Sequence, residues 1–313
     1  MTTTDDGDYA LAIDAGQTGI RVRVRRAGAL SAEHVMPGVR THEPLLPQLA
    51  AVVKALTDTP GARVEVISAG VSGLTADDSD AAALTALLGD LHVDRVFLAH
   101  DSVTSYLGAL GTDRGAVVAA GTGVVTLAVG DRHVARVDGW GNIMGDAGSG
   151  YWIGRQGLEA AMRAHDGRGE RTQLLHRLRD RWADPETAYI RLQSDPLRVS
   201  AVASFAKDVT ELASTDAVAA RICKRAAREL AASVVASLAR VEGESASSVS
   251  TVGGIFRSQL ILGQFEHRLT KSLPTVRFVS PQGDGLDGAE RFQTLPPLHP
   301  LWASSSISQH GAL

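Results

Sequence analysis

Apolar and polar residues alternate with period two at the start of the chain, and the same design returns near residue 117. Tyr9 to Asp14 reads as a strand and Ile20 to Arg26 as its antiparallel return, with arginines between the apolar positions. The turn between them is Gly16-Gln17-Thr18-Gly19. Val117 to Val129 repeats the arrangement around Gly121-Thr122-Gly123, with β-branched runs on both sides that favour strand over helix. Between the hairpins, Ala32 to Met36, Arg63 to Ala69 and Arg95 to Ala99 read as strands. Leu45 to Leu56, Asp80 to Leu88 and Val103 to Leu110 have helical spacing.

After the second hairpin the pattern predicts a strand over His133 to Val137. Asp138 to Gly150 is expected to be an irregular loop, too glycine-rich for regular structure, and a helix starts at Ser149. Glu170 to Ala213 is largely helical with breaks at Pro185 and Pro196, and Asp216 to Val241 is one long amphipathic helix. A polar linker, Glu242 to Ser248, precedes a strand at Ser250 to Val252 that runs into Gly253-Gly254 and a helix over Ile255 to Leu269. Val276 to Val279 is the last predicted strand and Asp284 to Phe292 the last helix. Strands interleaved with helices imply an α/β fold: two domains, each a mixed five-stranded sheet with flanking helices, around a central cleft. The boundaries expected are 1–113, 114–303 and a loose tail over 304–313, with the last helix free to return to the first domain. Met1 to Asp8 is expected to be a second loose tail.

Composition narrows the function. With 313 residues there is material for two domains with their own cores. A net charge of −4 leaves no basic footprint for nucleic acid. No apolar run approaches the roughly 20 residues of a membrane helix, and the polar, acidic Met1 to Asp8 lacks the regions of a signal peptide. The single cysteine, Cys223, excludes an internal disulfide, a cysteine-rich zinc site and an iron–sulfur cluster; it reads as a packed thiol in a reducing cytoplasm. Glycine turns present successive backbone N–H groups, which hold phosphate oxygens. Two such hairpins facing each other would suit a nucleotide-splitting enzyme.

The residues also carry a family resemblance. Asp14-x-Gly16-x-Thr18 and Gly121-Thr122-Gly123 look like the two hairpins of the actin-like sugar-kinase ATPases, and Asp138 to Gln156, DGWGNIMGDAGSGYWIGRQ, resembles the N-acetylglucosamine kinase branch of the BadF/BadG-type ATPases. The resemblance implies an ATP- and Mg²⁺-dependent kinase for a small sugar. Gly16, Gln17, Thr18, Gly121, Thr122 and Gly123 would hold the triphosphate, and Gly253 and Gly254 would line the adenosine side. Asp14 would engage Mg²⁺ through water, and Asp101 would be the general base toward a sugar hydroxyl. A helix N-cap is the plain alternative for Asp101. Ser72, Gly73, His42, Thr122, Trp140 and Asp146 are the further sugar-side candidates. Trp140 is equally readable as the loop's hydrophobic anchor, and His100 as an ordinary polar residue.

Several positions depart from the family pattern. Val124-Val125 and Ala147 replace polar or acidic groups, and His42 stands where an Asn is usual. These changes leave the sugar open among N-acetylglucosamine, glucosamine, glucose and a muramic-type sugar. A nucleotide-dependent sensor that does not turn over is the reading from another class, and a homodimer is left open.

Overall fold

The computed structural model describes residues 8–57, 62–241 and 248–309. The expected N-terminal tail up to residue 7, most of the polar linker (242–247) and residues 310–313 lie outside them.

In chain order, β1 (Tyr9–Ala15), β2 (Ile20–Arg26), β3 (Ala29–Met36), α1 (Leu45–Leu56), β4 (Arg63–Val71), α2 (Ala81–Leu87), β5 (His92–His100) and α3 (Asp101–Leu110) come first. Next are β6 (Gly115–Ala120), β7 (Val124–Val129), β8 (Val134–Asp138), α4 (Gly141–Met144) and α5 (Gly150–His165). Short helices α6 (Leu174–Arg181), α7 (Pro185–Ser194), α8 (Arg198–Ser204) and α9 (Ala206–Leu212) lead to the long α10 (Ala217–Ala239). β9 (Ser248–Val252), α11 (Gln259–Ser272), β10 (Arg277–Phe278), α12 (Gly285–Phe292) and β11 (Ser305–Gln309) complete the order.

Two compact units result. One gathers the chain up to Arg114, Asp131–Val134 and everything from Ser280 onward; the other holds Gly115–Gly130 and Ala135–Val279. The first is built on a six-stranded mixed sheet in the order β11-β5-β4-β1-β2-β3. In its first hairpin, Ile20, Val22 and Val24 are buried, so the period-two pattern sends the arginines of β2 to the opposite face. The second unit is built on a five-stranded sheet, β10-β9-β6-β7-β8, with the buried faces of α5, α10 and α11 in its core.

The sixth strand of the first sheet is a correction. Residues 305–309 are not a tail: Ser305 to Gln309 pair antiparallel with Ala99 to Arg95 along the edge of β5. The short Ser-Ser-Ile-Ser-Gln segment carries one apolar side chain, so its hydropathy is too weak to announce an edge strand. α12 also packs in this unit. Its Gly288 lies so close to the carbonyl of Thr104 that a Cβ would come within 1.7 Å, and Gly108 on α3 meets the carbonyl of Asp284 at 1.9 Å in the same sense. Phe97, Phe292 and Trp302 cluster with ring centroids 5.4–5.8 Å apart.

The expected break at Pro185 falls just before it: α6 ends at Arg181, and Pro185 is the first residue of α7, where its missing N–H costs nothing. The predicted helix from Ile255 splits into a 3₁₀ turn at Gly254–Arg257 and α11, whose start is capped by Ser258. Cys223 is free and buried, and burial pushes its thiol up to about 12, as expected of a packing residue. No helix among the described residues is long and apolar enough to cross a membrane.

Candidate functional site

In the first unit, Asp14 sits near the end of β1, directly ahead of the β1–β2 turn. The turn closes on itself: the Gly16 N–H donates to the Gly19 carbonyl at 3.0 Å. That donor is therefore not available to a phosphate, which leaves the exposed Gln17 and Thr18 as the turn's outward residues. Two neighbouring segments brace it. The Val39 N–H donates to the Gly16 carbonyl at 3.0 Å, and the Ser72 N–H to the Ala15 carbonyl at 2.9 Å. Gly38 fits against Gln17 only because it lacks a Cβ, which would stand 2.1 Å from the Gln17 carbonyl oxygen. Gly73 has φ +77° and lies against Thr41. Ser72, Gly73 and the 38–42 segment thus gather around the turn, while the His42 imidazole is 79% exposed, 3.8 Å from Glu43.

Asp101 opens α3 at the C-terminal end of β5. The cap belongs to its predecessor: His100 Nδ1 accepts the Ser102 N–H at 3.1 Å, so Asp101 is the first helical residue and not the N-cap. The N-cap alternative for Asp101 is thereby overturned, and His100, an ordinary polar residue, is the cap. Asp101 Oδ1 stands 2.9 Å from the same Nδ1. Oδ1 is buried without a hydrogen-bond partner among the described residues. An uncompensated buried carboxylate oxygen is costly.

Asp14 feels Asp101. Burial is the main cause that raises the Asp14 pKa, and the charges of Asp101 and Asp284 add to it; Arg21 opposes them. Arg21 donates from Nη2 to Asp14 Oδ2 at 2.7 Å and from Nη1 to Asp284 Oδ2 at 2.5 Å. Arg21 and Asp284 carry no motif and lie 263 positions apart, so neither was singled out from sequence. The alternating arginines of β2 were visible; their acidic partners on α12 were not.

In the second unit, the Gly121–Gly123 turn is also self-closed, Gly121 N–H donating to the Gly123 carbonyl at 2.9 Å. The first turn of α5 grips it from outside: Gly150 N–H donates to Gly121 O at 2.7 Å and Tyr151 N–H to Thr122 O at 3.0 Å. Asp146 fills the space that Gly123 leaves open, for a Cβ there would stand 2.8 Å from Asp146 Oδ2. The residue is 7% exposed. Burial pushes its pKa up to about 6, with Asp138 adding to the rise, while the amides of Val124 and Gly141 oppose it.

The loop that carries Asp146 is more ordered than its glycine content implied. It contains a helical turn, α4, and Asp138 organises the rest. Asp138 Oδ1 accepts the N–H groups of Gly139 and Asp146, both at 2.8 Å, and Oδ2 that of Ala147 at 3.2 Å. Asp138 and Asp146 both have positive φ, +61° and +60°. Aspartate tolerates that region better than most residues, which was the available sequence signal. Trp140 is 57% exposed under the Arg136 guanidinium, 5.3 Å from the ring centroid, so it does not anchor the loop. Val124 belongs to the core, and Val125 packs against Gly139. Gly253, at φ +104°, is required by the Ala120 carbonyl, 2.2 Å from where a Cβ would be. Gly254 faces open space.

Three comparisons relate the chain to known proteins. An N-acetylmuramic acid/N-acetylglucosamine kinase of Clostridium acetobutylicum is 28% identical over 212 residues, covering 63% of this chain and 67% of that protein. An N-acetyl-D-glucosamine kinase of Dictyostelium discoideum is 27% identical over 263 residues, 76% of this chain and 78% of that protein. A crystal structure from Chromobacterium violaceum, provisionally described as an N-acetylglucosamine kinase, superposes with a TM-score of 0.71 at 23% identity, over 91% of this chain and 99% of that one. The profile of the BadF/BadG/BcrA/BcrD ATPase family matches residues 12–290, the span that holds Asp14, Asp101, Asp146 and the Gly253-Gly254 turn, and the chain belongs to that family.

Proposed function

We propose that this ATP-dependent carbohydrate kinase phosphorylates the 6-hydroxyl of N-acetylglucosamine, with Asp101 as the general base. The observation that carries the reading is the Asp101 carboxylate, held at the end of β5 with a buried Oδ1 that has no hydrogen-bond partner among the described residues. The sugar hydroxyl proton passes to Asp101 as the oxygen bonds to the γ-phosphorus and the bond to the ADP oxygen breaks. Gln17, Thr18, Thr122 and Gly123 are the turn residues assigned to phosphate. Gly254, open on its Cα side, is assigned to adenosine. Asp146, Trp140, Ser72, Gly73 and His42 are assigned to the sugar.

Magnesium fits Asp14. No group of three or more His, Cys, Asp or Glu residues that could hold a metal exists among the described residues. A cation bound here takes its ligands from water and nucleotide phosphates, as Mg²⁺ does. Asp14 offers one carboxylate with Oδ2 committed to Arg21, so Oδ1 would hold a metal-bound water. The ion supplies charge neutralisation on the phosphates.

The acetylated sugar is favoured by Val125 and Ala147 beside the Asp138 loop. Neither supplies a partner to a free ammonium, whose unpaired burial is costly. The C. acetobutylicum relative's name brings N-acetylmuramic acid forward as the second reading. The test is a sugar panel with ATP and Mg²⁺, read as ADP release. The expected order of kcat/KM puts N-acetylglucosamine above glucosamine and glucose, with N-acetylmuramic acid as the informative rival. A tenfold win for glucosamine or glucose, about 1.4 kcal/mol of transition-state binding, removes the choice of sugar.

A further inference from the structure

Three arginines of β2 and three acids, Asp287 and Glu290 of α12 and its N-cap Asp284, form a ladder within the first unit. Arg21 pairs with Asp284, Arg23 with Asp287 at 3.0 Å and Glu290 at 2.6 Å, and Arg25 with Glu290. Residues 21, 23 and 25 share one face of a strand, and 284, 287 and 290 one face of a helix. The other side of α12 is apolar: Leu286 and Ala289 pack on Ala12 of β1. Most of the ladder docks a helix. Its innermost rung does something else, because Arg21 is shared with Asp14.

We propose that Asp284 is a positioning residue for Asp14, sharing the Arg21 guanidinium so that Asp14 is oriented through Oδ2 without being neutralised. The proposal rests on the reading of Asp14 as the magnesium ligand. Asp284 divides its two oxygens between two tasks. Oδ1 accepts the N–H groups of Leu286 and Asp287 at 2.9 and 3.2 Å and caps α12, while Oδ2 alone meets Arg21. The helix end is also pressed on Asp14 itself. A Cβ at Gly285 would stand 2.9 Å from both Asp14 oxygens, so only glycine allows the carboxylate its seat there. With Asp284 drawing on Nη1, one guanidinium serves two carboxylates and the pair keeps a net negative charge. Without Asp284, the whole cation turns to Asp14 and competes with the metal. α12 also crosses α3, the helix that begins with Asp101, through the Gly108 and Gly288 contacts, so the same helix braces both candidate carboxylates.

The division by atom makes a clean variant. In Asp284→Asn, Oδ1 keeps the cap and the amide nitrogen faces Arg21, so the ion pair is lost while the helix stays. Glu290→Gln removes the outer rung and serves as the structural control. Mn²⁺ binding is measured by electron paramagnetic resonance on the full chain with a non-hydrolysable ATP analogue, beside steady-state kinetics and melting temperature. Asp284→Asn is expected to weaken Mn²⁺ about tenfold, as partners of metal-binding groups do, and to raise the Mg²⁺ half-saturation while leaving the KM for sugar within about twofold. Glu290→Gln is expected to lower the melting temperature and leave Mn²⁺ affinity unchanged. Equal Mn²⁺ affinity for wild type and Asp284→Asn overturns the proposal, as does an equal loss in both variants. Asp14→Asn is the separate check on the underlying reading: if it binds Mn²⁺ like wild type, the assignment of Asp14 falls and this proposal with it.

Discussion

Asp146 combines a buried carboxylate, a pKa raised from 3.8 to about 6 and a place on the Gly121–Gly123 turn. Replacing it by asparagine should separate its electrostatic cost from its contacts. A rise from 3.8 to about 6 corresponds to about 3 kcal/mol of preference for the neutral form in the folded protein. The folded chain holds this proton more tightly than the unfolded chain. Stability from this group is therefore complete below about pH 4, falls as pH climbs through about 6, and is flat above. Between pH 4.5 and 7.5 the two pKa values give a loss of about 2 kcal/mol. Asp146→Asn carries no such dependence. It keeps one acceptor for the Val124 or Gly141 amide and sets its own NH₂ against the other, a mismatch of about 1–3 kcal/mol at either pH.

The expected outcome is a variant less stable than wild type at pH 4.5 that recovers by about 2 kcal/mol relative to it at pH 7.5. Urea unfolding of both proteins at the two pH values reads this double difference directly. A ¹³C titration of the wild-type carboxyl provides the independent check, with a midpoint near 6. Parallel pH dependence in the two proteins would falsify the burial argument, because the mutation removes the only proton it concerns. If the carboxylate also binds sugar hydroxyls, kcat/KM for the sugar falls at pH 7.5 although stability there barely changes.

Asp101→Asn should lower kcat by roughly 10²–10⁴-fold with little change in melting temperature, since His100 holds the helix cap and Oδ1 has no hydrogen-bond partner among the described residues. Turnover within a few-fold of wild type assigns the base elsewhere. Gly253→Ala forces a Cβ to 2.2 Å from the Ala120 carbonyl at φ +104°. It should cost about 1–3 kcal/mol; an unchanged melting temperature refutes the close approach.

How far the site was legible follows from how far apart its partners lie. The two hairpins are local, so period-two hydropathy and glycine turns located Asp14 and Asp146, and Leu45 to Leu56 appears as α1 with the same limits. Asp101 was placed by an apolar strand that stops in front of it, yet its capping status was not. A cap is decided by which of two adjacent side chains reaches the Ser102 amide, and both His100 and Asp101 can accept. β11 and the ladder on α12 were illegible for a stronger reason. Each element pairs across about 200 residues or more, and its own residues, a serine-rich strand and an acidic helix edge, look like any solvated surface. The Asp138 loop falls between the two cases. Its glycines pointed to irregular backbone, but two aspartates at positive φ, one accepting two amides of the other's neighbourhood, turn that irregularity into a fixed shape. A carboxylate that must be buried at a set angle beside Gly123 needs such a frame. The same glycines that weakened the prediction of regular structure are what let the aspartates converge.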